Sequence, residues 1–130
     1  MKILVTGATG FIGFYIVQEL IKNNYNFIAS GLRQEQNISP LWLGKVNYIQ
    51  ADLNETRKDW FSHFAKPDLL IHLSWQGLPN YKDKIHTSLN LKNNYLFIKN
   101  MIENGLKKIV VIGTCLEYGM KSGELIENLD

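Results

Sequence analysis

The sequence has 130 residues, of which 45% are hydrophobic and 20% charged, and this balance is typical of one globular domain with a substantial core. A net charge of +2 without a basic cluster gives no electrostatic basis for binding nucleic acid. The single cysteine, Cys115, excludes an internal disulfide framework, and the first apolar run is too short for a signal peptide or a membrane span, so we expect a cytoplasmic protein that does not bind a membrane.

The predicted elements alternate between strand and helix along the chain. Short apolar runs bounded by turn residues predict strands, and apolar residues at every third or fourth position predict helices. A polar segment between the second and third strands predicts a loop with one short helical turn. The predicted strands are 2–6, 27–30, 46–52, 67–75 and 108–113, the predicted helices are 11–22, 54–64 and 84–104, and the loop is 31–45.

Single residues mark two of the helix boundaries. Asn54 is placed to cap the second helix, and Glu55 would lie in its first turn, where a carboxylate is favoured by the helix dipole. Gly105 follows the third helix, and glycine commonly ends helices because it readily adopts a left-handed conformation. We therefore expect one short helix over 54–64 and one long helix ending at 104.

The predicted strands are apolar runs without apolar–polar alternation. Such strands are typical of a parallel sheet that is covered on both faces. Right-handed crossovers leave few possible topologies. We therefore predict the α/β fold called the Rossmann fold, a doubly wound parallel sheet in the strand order 3-2-1-4-5, with a ligand crevice between strands 1 and 4.

A glycine-rich segment, "TGATGFIG", follows the first predicted strand and opens the first helix. Gly7 would permit the tight turn, Gly10 would let the backbone approach a pyrophosphate, and Gly13 would let the helix lie close to the sheet. Free N–H groups at the positive end of the helix would meet the phosphates. This context favours a dinucleotide-binding loop over a turn without a ligand. The candidate residues are Gly7, Thr9, Gly10, Phe11, Ile12 and Gly13.

The glycine spacing is G-x-x-G-x-x-G, and four later segments accompany it in order: "ADL" at 51–53, "IHLSW" at 71–75, an asparagine in the long helix, and "VVIGTCLEYG" at 110–119. Together they resemble the extended short-chain dehydrogenases/reductases, which include nucleotide-sugar epimerases, dehydratases and ketoreductases. The resemblance covers nearly the whole chain. It implies further cofactor-binding residues, Asp52, Leu53, Leu73, Ser74, Trp75 and Asn90, and a catalytic hydroxyl at Thr114.

The second strand ends without the carboxylate that reads the ribose 2′-hydroxyl of NAD. Gly31 occupies that position, and Arg33 follows two residues later. A carboxylate would repel a 2′-phosphate, whereas a guanidinium can pair with it through two hydrogen bonds. We therefore predict NADP as the cofactor ahead of NAD, with Arg33 as a cofactor-binding residue. The alternative is that Arg33 is a solvated loop residue.

In the family that the sequence resembles, ketone reduction uses a Ser or Thr that holds the substrate oxygen, a Tyr that donates the proton, and a Lys four residues later that lowers the pKa of the Tyr. Thr114 matches the first of these; the alternative is a threonine that caps a turn. Tyr95 and Lys99 have the required spacing, but they precede the fifth strand, whereas the family's pair follows it. Tyr95 is instead interpreted as helix packing, in an apolar stripe with Leu91, Ile98 and Ile102.

The expected Tyr and Lys would lie beyond Asp130. We therefore interpret residues 1–130 as the NAD(P)-binding domain of a longer enzyme whose carboxyl-terminal, sugar-binding part is absent from this chain. The long helix is apolar on several faces, so we expect exposed apolar surface and a tendency to associate. The resemblance implies a homodimer that involves this helix.

Two loops indicate a branch of the family. Its dehydratases follow the catalytic Thr with Asp-Glu, but Cys115 and Leu116 stand here, and neither transfers protons as a carboxylate does. "HLSWQGLPNY" at 72–81 and "GTCLEYGMKSGEL" at 113–125 resemble the deoxysugar 4-ketoreductases. The implied substrate is a nucleotide sugar, a dTDP-4-keto-6-deoxyhexose that is reduced at C4 by NADPH. "WQGLPNY" could alternatively be a structured turn around Pro79.

Two other functions stay open at this point. One is a non-catalytic NAD(P)-binding regulatory module, and the other is a nucleotide-sugar epimerase, because Ser or Thr at position 114 serves both reactions. No metal site is predicted, since His63, His72 and His86 lack the spacing of metal ligands. We expect His72 to be a core histidine, and Trp75 either to line the pocket or to pack in the core.

Overall fold

The computed structural model of the protein describes residues 1–114, 119, 122 and 123. Within them, strands and helices alternate as predicted, and no helix combines the length and apolar character needed to cross a membrane. The strands are β1 (Ile3–Thr6), β2 (Phe27–Gly31), β3 (Asn47–Gln50), β4 (Leu69–His72) and β5 (Lys108–Val111). The helices are α1 (Phe11–Lys22), α2 (Trp60–His63) and α3 (Leu91–Glu103), with 3-10 turns at Glu35–Asn37 and Pro40–Trp42 and a π-helical turn at His86–Asn90.

All five strands form one parallel sheet in the order β3-β2-β1-β4-β5, which confirms the predicted doubly wound topology. Thr6 at the end of β1 pairs with Ser30 on one side and with His72 on the other. The carboxyl ends of the three central strands are therefore level. Since the strand order reverses next to β1, the ligand crevice of this topology lies between the carboxyl ends of β1 and β4.

The core lies on both faces of the sheet. Successive side chains of a strand point to opposite faces, so Ile3 and Val5 pack on the α1 side while Leu4 packs on the side of α2 and α3. These strands are buried on both faces, as the unbroken apolar runs predicted. The α2–α3 side is filled by large side chains: Trp60, Phe64, Leu70, Phe97, Met101 and Leu106.

Helix α2 is shorter than predicted, and its cap is a different residue. It begins at Trp60, and Asp59 caps it by accepting a hydrogen bond from the Ser62 N–H at 2.8 Å. Hydrogen bonds from Ser62 lower the pKa of Asp59, which keeps the cap ionised. Asn54 is not a cap. Its N–H donates to Asp52 Oδ1, so the chain turns directly after β3 instead of starting a helix there.

Helix α3 turns one of its several apolar faces to the core, and of the predicted stripe only Ile98 packs against that core. Phe97 and Met101 are buried, whereas Leu91, Tyr95 and Ile102 of the predicted stripe are each more than half exposed. The packing role predicted for Tyr95 is therefore wrong within the described chain, where its side chain is 62% exposed. The exposed apolar surface expected on this helix is present.

Strand β5 is the outer strand of the described sheet, next to β4. All four of its residues are exposed, including Ile109, Val110 and Val111. The prediction of a sheet covered on both faces thus holds for the inner strands but not for β5, because no described helix packs over it.

Candidate functional site

A cleft of about 450 Å³ opens along the carboxyl ends of β1, β2 and β4, at the crevice that the topology predicts. Eight of the predicted cofactor-binding residues line it: Gly7, Thr9, Gly10, Arg33, Leu53, Leu73, Ser74 and Trp75. Its walls are completed by seven residues that the sequence analysis did not propose as binding residues: Thr6, Ser30, Gly31, Leu32, Ala51, Gln76 and Gly77. Each of the seven is within three positions of a predicted residue, and this proximity is the sequence signal that they share.

Two positions of the loop require glycine, because other backbone segments lie too close to leave room for a Cβ. Gly7 has a φ of +69°, and a Cβ there would lie 2.7 Å from the carbonyl carbon of Leu73 and 2.8 Å from the N of Ser74. A Cβ on Gly13 would collide with the Gly7 carbonyl oxygen and lie 2.7 Å from the Cα of Ala8. A side chain at either position would separate β1 from the chain after β4 or lift α1 from the sheet. The two structural roles predicted for these glycines therefore agree with the geometry.

The amino end of α1 is suited to an anion. The Gly10 N–H donates to the Gly7 carbonyl at 3.0 Å, which closes the turn, and no side chain caps the helix. The N–H groups of Phe11 and Ile12 belong to the first turn, so they have no acceptor within the helix. With the positive end of the helix dipole, they fit a diphosphate. The Phe11 and Ile12 side chains are exposed outside the cleft lining, and Gly13 is buried, so only the backbone of these three can serve the predicted role.

The end of β2 leaves no room for a larger side chain. A Cβ on Gly31 would lie 2.7 Å from Thr9 Oγ1 and 3.2 Å from the Tyr48 hydroxyl oxygen. That hydroxyl donates to the Arg33 carbonyl at 2.7 Å, which fixes the backbone that carries the guanidinium. Burial raises the pKa of Tyr48, against a smaller lowering by the Arg33 charge, so the hydroxyl stays protonated. Arg33 is thereby placed on the cleft wall.

Asp52 does not line the cleft, although its neighbours Ala51 and Leu53 do. Its Oδ1 accepts a hydrogen bond from the Asn54 N–H at 2.9 Å. The carboxylate therefore shapes the turn that forms this wall. The direct cofactor contact predicted for Asp52 stays a prediction.

Trp75 is held at the cleft by a histidine to which the sequence analysis gave no role. The indole Nε1–H donates to His86 Nδ1 at 2.9 Å, and the two rings stack with centroids 6.1 Å apart. His86 Nε2 in turn lies 2.7 Å from the Asn80 carbonyl, so the ring bridges the indole and the loop backbone. Because Trp75 is 41% exposed and lines the cleft, the structure favours the pocket interpretation over core packing.

His72 is buried at the end of β4, as expected of a core histidine. Its Nδ1 lies 2.8 Å from Thr6 Oγ1, and its Nε2 lies 2.7 Å from Asn94 Oδ1. Burial lowers the pKa of His72, with a smaller opposing effect of the bond to Asn94, so the ring is neutral and donates from Nε2. Among the described residues, no group of three His, Cys, Asp or Glu side chains could hold a metal ion.

Asn90 lies outside the cleft lining and is 1% exposed. Its Nδ2 donates to the carbonyl oxygen of Gln76 at 2.8 Å, and Gln76 lines the cleft. The structure therefore connects Asn90 to the cleft through the loop after β4. A direct contact between Asn90 and a cofactor stays a prediction.

Residues 3–130 match the sequence profile of the NAD dependent epimerase/dehydratase family. The chain belongs to this family. The resemblance found in the glycine loop and the four later segments is therefore confirmed, and the cleft occupies the position expected for a cofactor site in a parallel sheet of this order.

Two curated proteins are similar to the chain along most of its length. The chain is 35% identical over 130 residues to dTDP-6-deoxy-L-talose 4-dehydrogenase (NAD(+)) of Aggregatibacter actinomycetemcomitans, a match that covers 98% of the chain and 47% of the relative. It is 29% identical over 133 residues to UDP-glucose 4-epimerase of Bacillus subtilis, covering 92% of the chain and 38% of that enzyme. The chain thus spans less than half the length of either relative.

Solved structures show the same fold. MoeE5 in complex with UDP-glucuronic acid and NAD superposes with a TM-score of 0.74 at 23% identity, over 98% of this chain and 42% of that one. TunA, an NAD-dependent NDP-hexosamine 5,6-dehydratase, also gives a TM-score of 0.74, at 22% identity and with the same coverage. At these identities the likeness establishes the architecture alone.

In this family member, Thr114 follows β5 and is exposed. The Ile112 N–H donates to the His72 carbonyl at 3.1 Å, which extends the pairing of β5 with β4 and brings Thr114 to the carboxyl edge of the sheet. Thr114 is not among the residues that line the cleft. The predictions for Cys115 and Leu116 concern positions outside the described residues.

Proposed function

We propose that this chain is the NAD(P)-binding part of a nucleotide-sugar oxidoreductase. The observation that carries the proposal is the cleft at the carboxyl ends of β1 and β4, where an uncapped helix end meets backbone that only glycine permits. A dinucleotide needs such a combination, because its diphosphate is anionic while its two ring systems need an extended crevice.

Three parts of the cleft would hold three parts of the cofactor. The backbone of residues 7–13 would bind the diphosphate, residues 31–33 and 51–53 the adenosine, and residues 73–77 the nicotinamide end. The bound nicotinamide supplies or accepts a hydride. The contribution of this chain is to orient the ring at the carboxyl edge of the sheet, on the side where Thr114 follows β5.

We also propose a preference for NADP over NAD. Arg33 lines the cleft, and β2 ends at Gly31 without a carboxylate. Arg33→Ala is expected to weaken NADPH binding about tenfold and NADH binding less than about twofold, because only NADPH has the 2′-phosphate and a charge-assisted hydrogen bond contributes about 1.5–3 kcal/mol. Isothermal titration with both cofactors measures the two affinities. Since the Aggregatibacter relative is named for NAD(+), this preference would distinguish the two proteins.

Arg57→Ala is the matched control for that experiment. The Arg57 guanidinium lies over the Trp60 ring, 4.9 Å from its centroid, and Arg57 is absent from the cleft lining. Its removal should leave both dissociation constants unchanged. If the unaltered chain binds NADH more tightly than NADPH, the proposed preference is refuted.

For the intact gene product we propose reduction of a dTDP-4-keto-6-deoxyhexose at C4. The support is the 35% identity to the talose 4-dehydrogenase over nearly the whole chain, together with the resemblance of the segments at 72–81 and 113–125 to the deoxysugar 4-ketoreductases. NADPH oxidation that depends on the dTDP-4-keto sugar is the expected result. Conversion of UDP-glucose to its C4 epimer without net NADPH oxidation would favour an epimerase, and cofactor binding without either reaction would favour a regulatory module.

Thr114 is proposed to hold the substrate carbonyl oxygen through its hydroxyl. Thr114→Val keeps the side-chain shape and removes the donor, so kcat of the intact gene product should fall about tenfold or more while the dissociation constants for NADPH and NADP stay unchanged. Thr114→Ser should retain most of the activity. An unchanged kcat in Thr114→Val would exclude the role. The chain has no Tyr-x-x-x-Lys after β5, so we propose that another part of the protein donates the proton.

The exposed apolar face of α3 is proposed to be covered by a second copy of the chain. Leu91, Tyr95 and Ile102 lie on this face, and contiguous exposed apolar surface on a folded domain commonly marks an interface. Sedimentation is expected to show dimers that Tyr95→Lys shifts towards monomer. Lys92→Glu, at an exposed polar position of the same helix, is the control. A chain that is monomeric at every concentration tested would contradict the proposal.

A further inference from the structure

The inward side of α3 changes character along its length. Asn90, Asn93 and Asn94 are spaced by three and four residues, so they share one face of the helix and of the turn before it. The same face continues into Phe97 and Met101, which are buried in the core. The inward side is therefore polar where it meets the loops after β3 and β4, and apolar where it lies on the sheet.

We infer that Asn90 and Asn93 are positioning residues that hold the two opposite walls of the cofactor cleft in place from one helix. On the β4 side, Asn90 Nδ2 donates to the Gln76 carbonyl oxygen at 2.8 Å, and Gln76 lines the cleft. On the β3 side, Asn93 Nδ2 donates to Asn54 Oδ1 at 2.9 Å. Asn54 directly follows Leu53, which lines the cleft. Neither asparagine lines the cleft itself.

Asn94 connects this arrangement to the sheet. Its Nδ2 donates to the Asn90 carbonyl at 2.8 Å, and its Oδ1 accepts from His72 Nε2 at 2.7 Å. His72 is hydrogen-bonded in turn to Thr6, which lines the cleft. Thr6, His72 and Asn90 are all buried. The bonds of Asn90 and Asn93 to the two loops are partly buried, so water replaces them incompletely, and removal of one asparagine should shift the loop that it holds.

The inference rests on the proposed function, in which the β3 side holds the adenosine and the β4 side the nicotinamide. ADP would fill only the diphosphate and adenosine parts of the cleft, whereas NADH would fill the whole. Asn93→Ala should therefore weaken the binding of ADP and of NADH by a similar factor, about five- to tenfold. Asn90→Ala should weaken the binding of NADH by about the same factor and change the affinity for ADP by less than about twofold. A general loss of structure would reduce both affinities in both variants.

Asn100→Ala is the matched control on the same helix. Asn100 accepts a hydrogen bond from the Trp60 N–H at 2.9 Å and donates to the Lys58 carbonyl at 3.0 Å, and neither partner lines the cleft. This variant should be less resistant to urea and should bind ADP and NADH as the unaltered chain does. Equal losses of affinity in Asn100→Ala and Asn93→Ala would overturn the inference.

If Asn90→Ala fails to fold, the β3 side still tests the inference. Asn54→Ala removes the acceptor of the bond that Asn93→Ala removes as donor, so both variants should lose ADP affinity by the same factor. ADP and NADH affinities in Asn93→Ala equal to those of the unaltered chain would overturn the positioning role. An unaltered chain that binds neither ligand would instead overturn the proposed function.

Discussion

Gly13→Ala is expected to lower the free energy of unfolding by about 3 kcal/mol or more, although alanine within a helix is normally about 1 kcal/mol more favourable than glycine. The new Cβ would collide with the Gly7 carbonyl oxygen and lie 2.7 Å from both the Cα and the carbonyl oxygen of Ala8. These are backbone atoms of the turn that joins β1 to α1, so a side-chain rotation cannot relieve the contact. Urea denaturation followed by circular dichroism measures the loss.

Gly10→Ala is the control for this effect, because it makes the same substitution in the same loop. Gly10 has a φ of −79°, which alanine adopts readily, and its Cβ would approach only the Gly7 carbonyl oxygen, at 3.2 Å. Its unfolding free energy should stay within about 1 kcal/mol of that of the unaltered chain. Equal stability of Gly13→Ala and the unaltered chain would show that α1 does not need glycine to approach β1.

The same Gly10→Ala variant is expected to lose about a hundredfold in affinity for NADPH, or about 2.7 kcal/mol of binding free energy. Gly10 lines the cleft at the amino end of α1, where the diphosphate would meet the backbone N–H groups. A methyl group there keeps the phosphates from those donors and leaves them unpaired in the complex. Titration of the folded variant with NADPH measures the loss.

Gly44→Ala separates this effect from a general effect of loop glycines. Gly44 lies outside the cleft lining, and a Cβ there would have no atom within 4 Å. Its φ of +70° makes alanine cost about 1–2 kcal/mol in stability, but NADPH affinity should not change. Unchanged NADPH affinity in Gly10→Ala would mean that the diphosphate does not bind at this helix end.

The glycine loop could be predicted from the sequence because backbone crowding restricts the residue type. Gly7 and Gly13 occupy positions where any Cβ meets backbone atoms, and this requirement appears directly as a spacing. The parallel sheet followed from a second local signal, the apolar runs of strands that are buried on both faces, and its order followed from the right-handed crossovers that join parallel strands. Helix α1 begins and ends at the predicted residues 11 and 22, because strong turn residues flank it on both sides.

The face of α3 that meets the core could not be predicted, because the pattern of apolar residues gives no signal for asparagines on the inward side. The predicted apolar stripe includes Leu91 and Tyr95, which are exposed, whereas Asn93 and Asn94 make the hydrogen bonds on the inward side of the helix. The partners of these asparagines are distant in sequence; Asn54 is 39 residues before Asn93. The cap of α2 was misplaced for a related reason, since Asn54 has the residue type of a cap but serves that distant contact instead.

The bare outer edge of β5 has a consequence for the synthesis of the protein. Among the described residues no strand pairs with the outer side of β5, and an outer strand with apolar side chains on both faces can pair with another extended chain through its backbone groups. While β5 emerges from the ribosome, the exposed side chains of Ile109, Val110 and Val111 can associate with other unfolded segments. Chaperone capture of the nascent chain should therefore be concentrated at this strand.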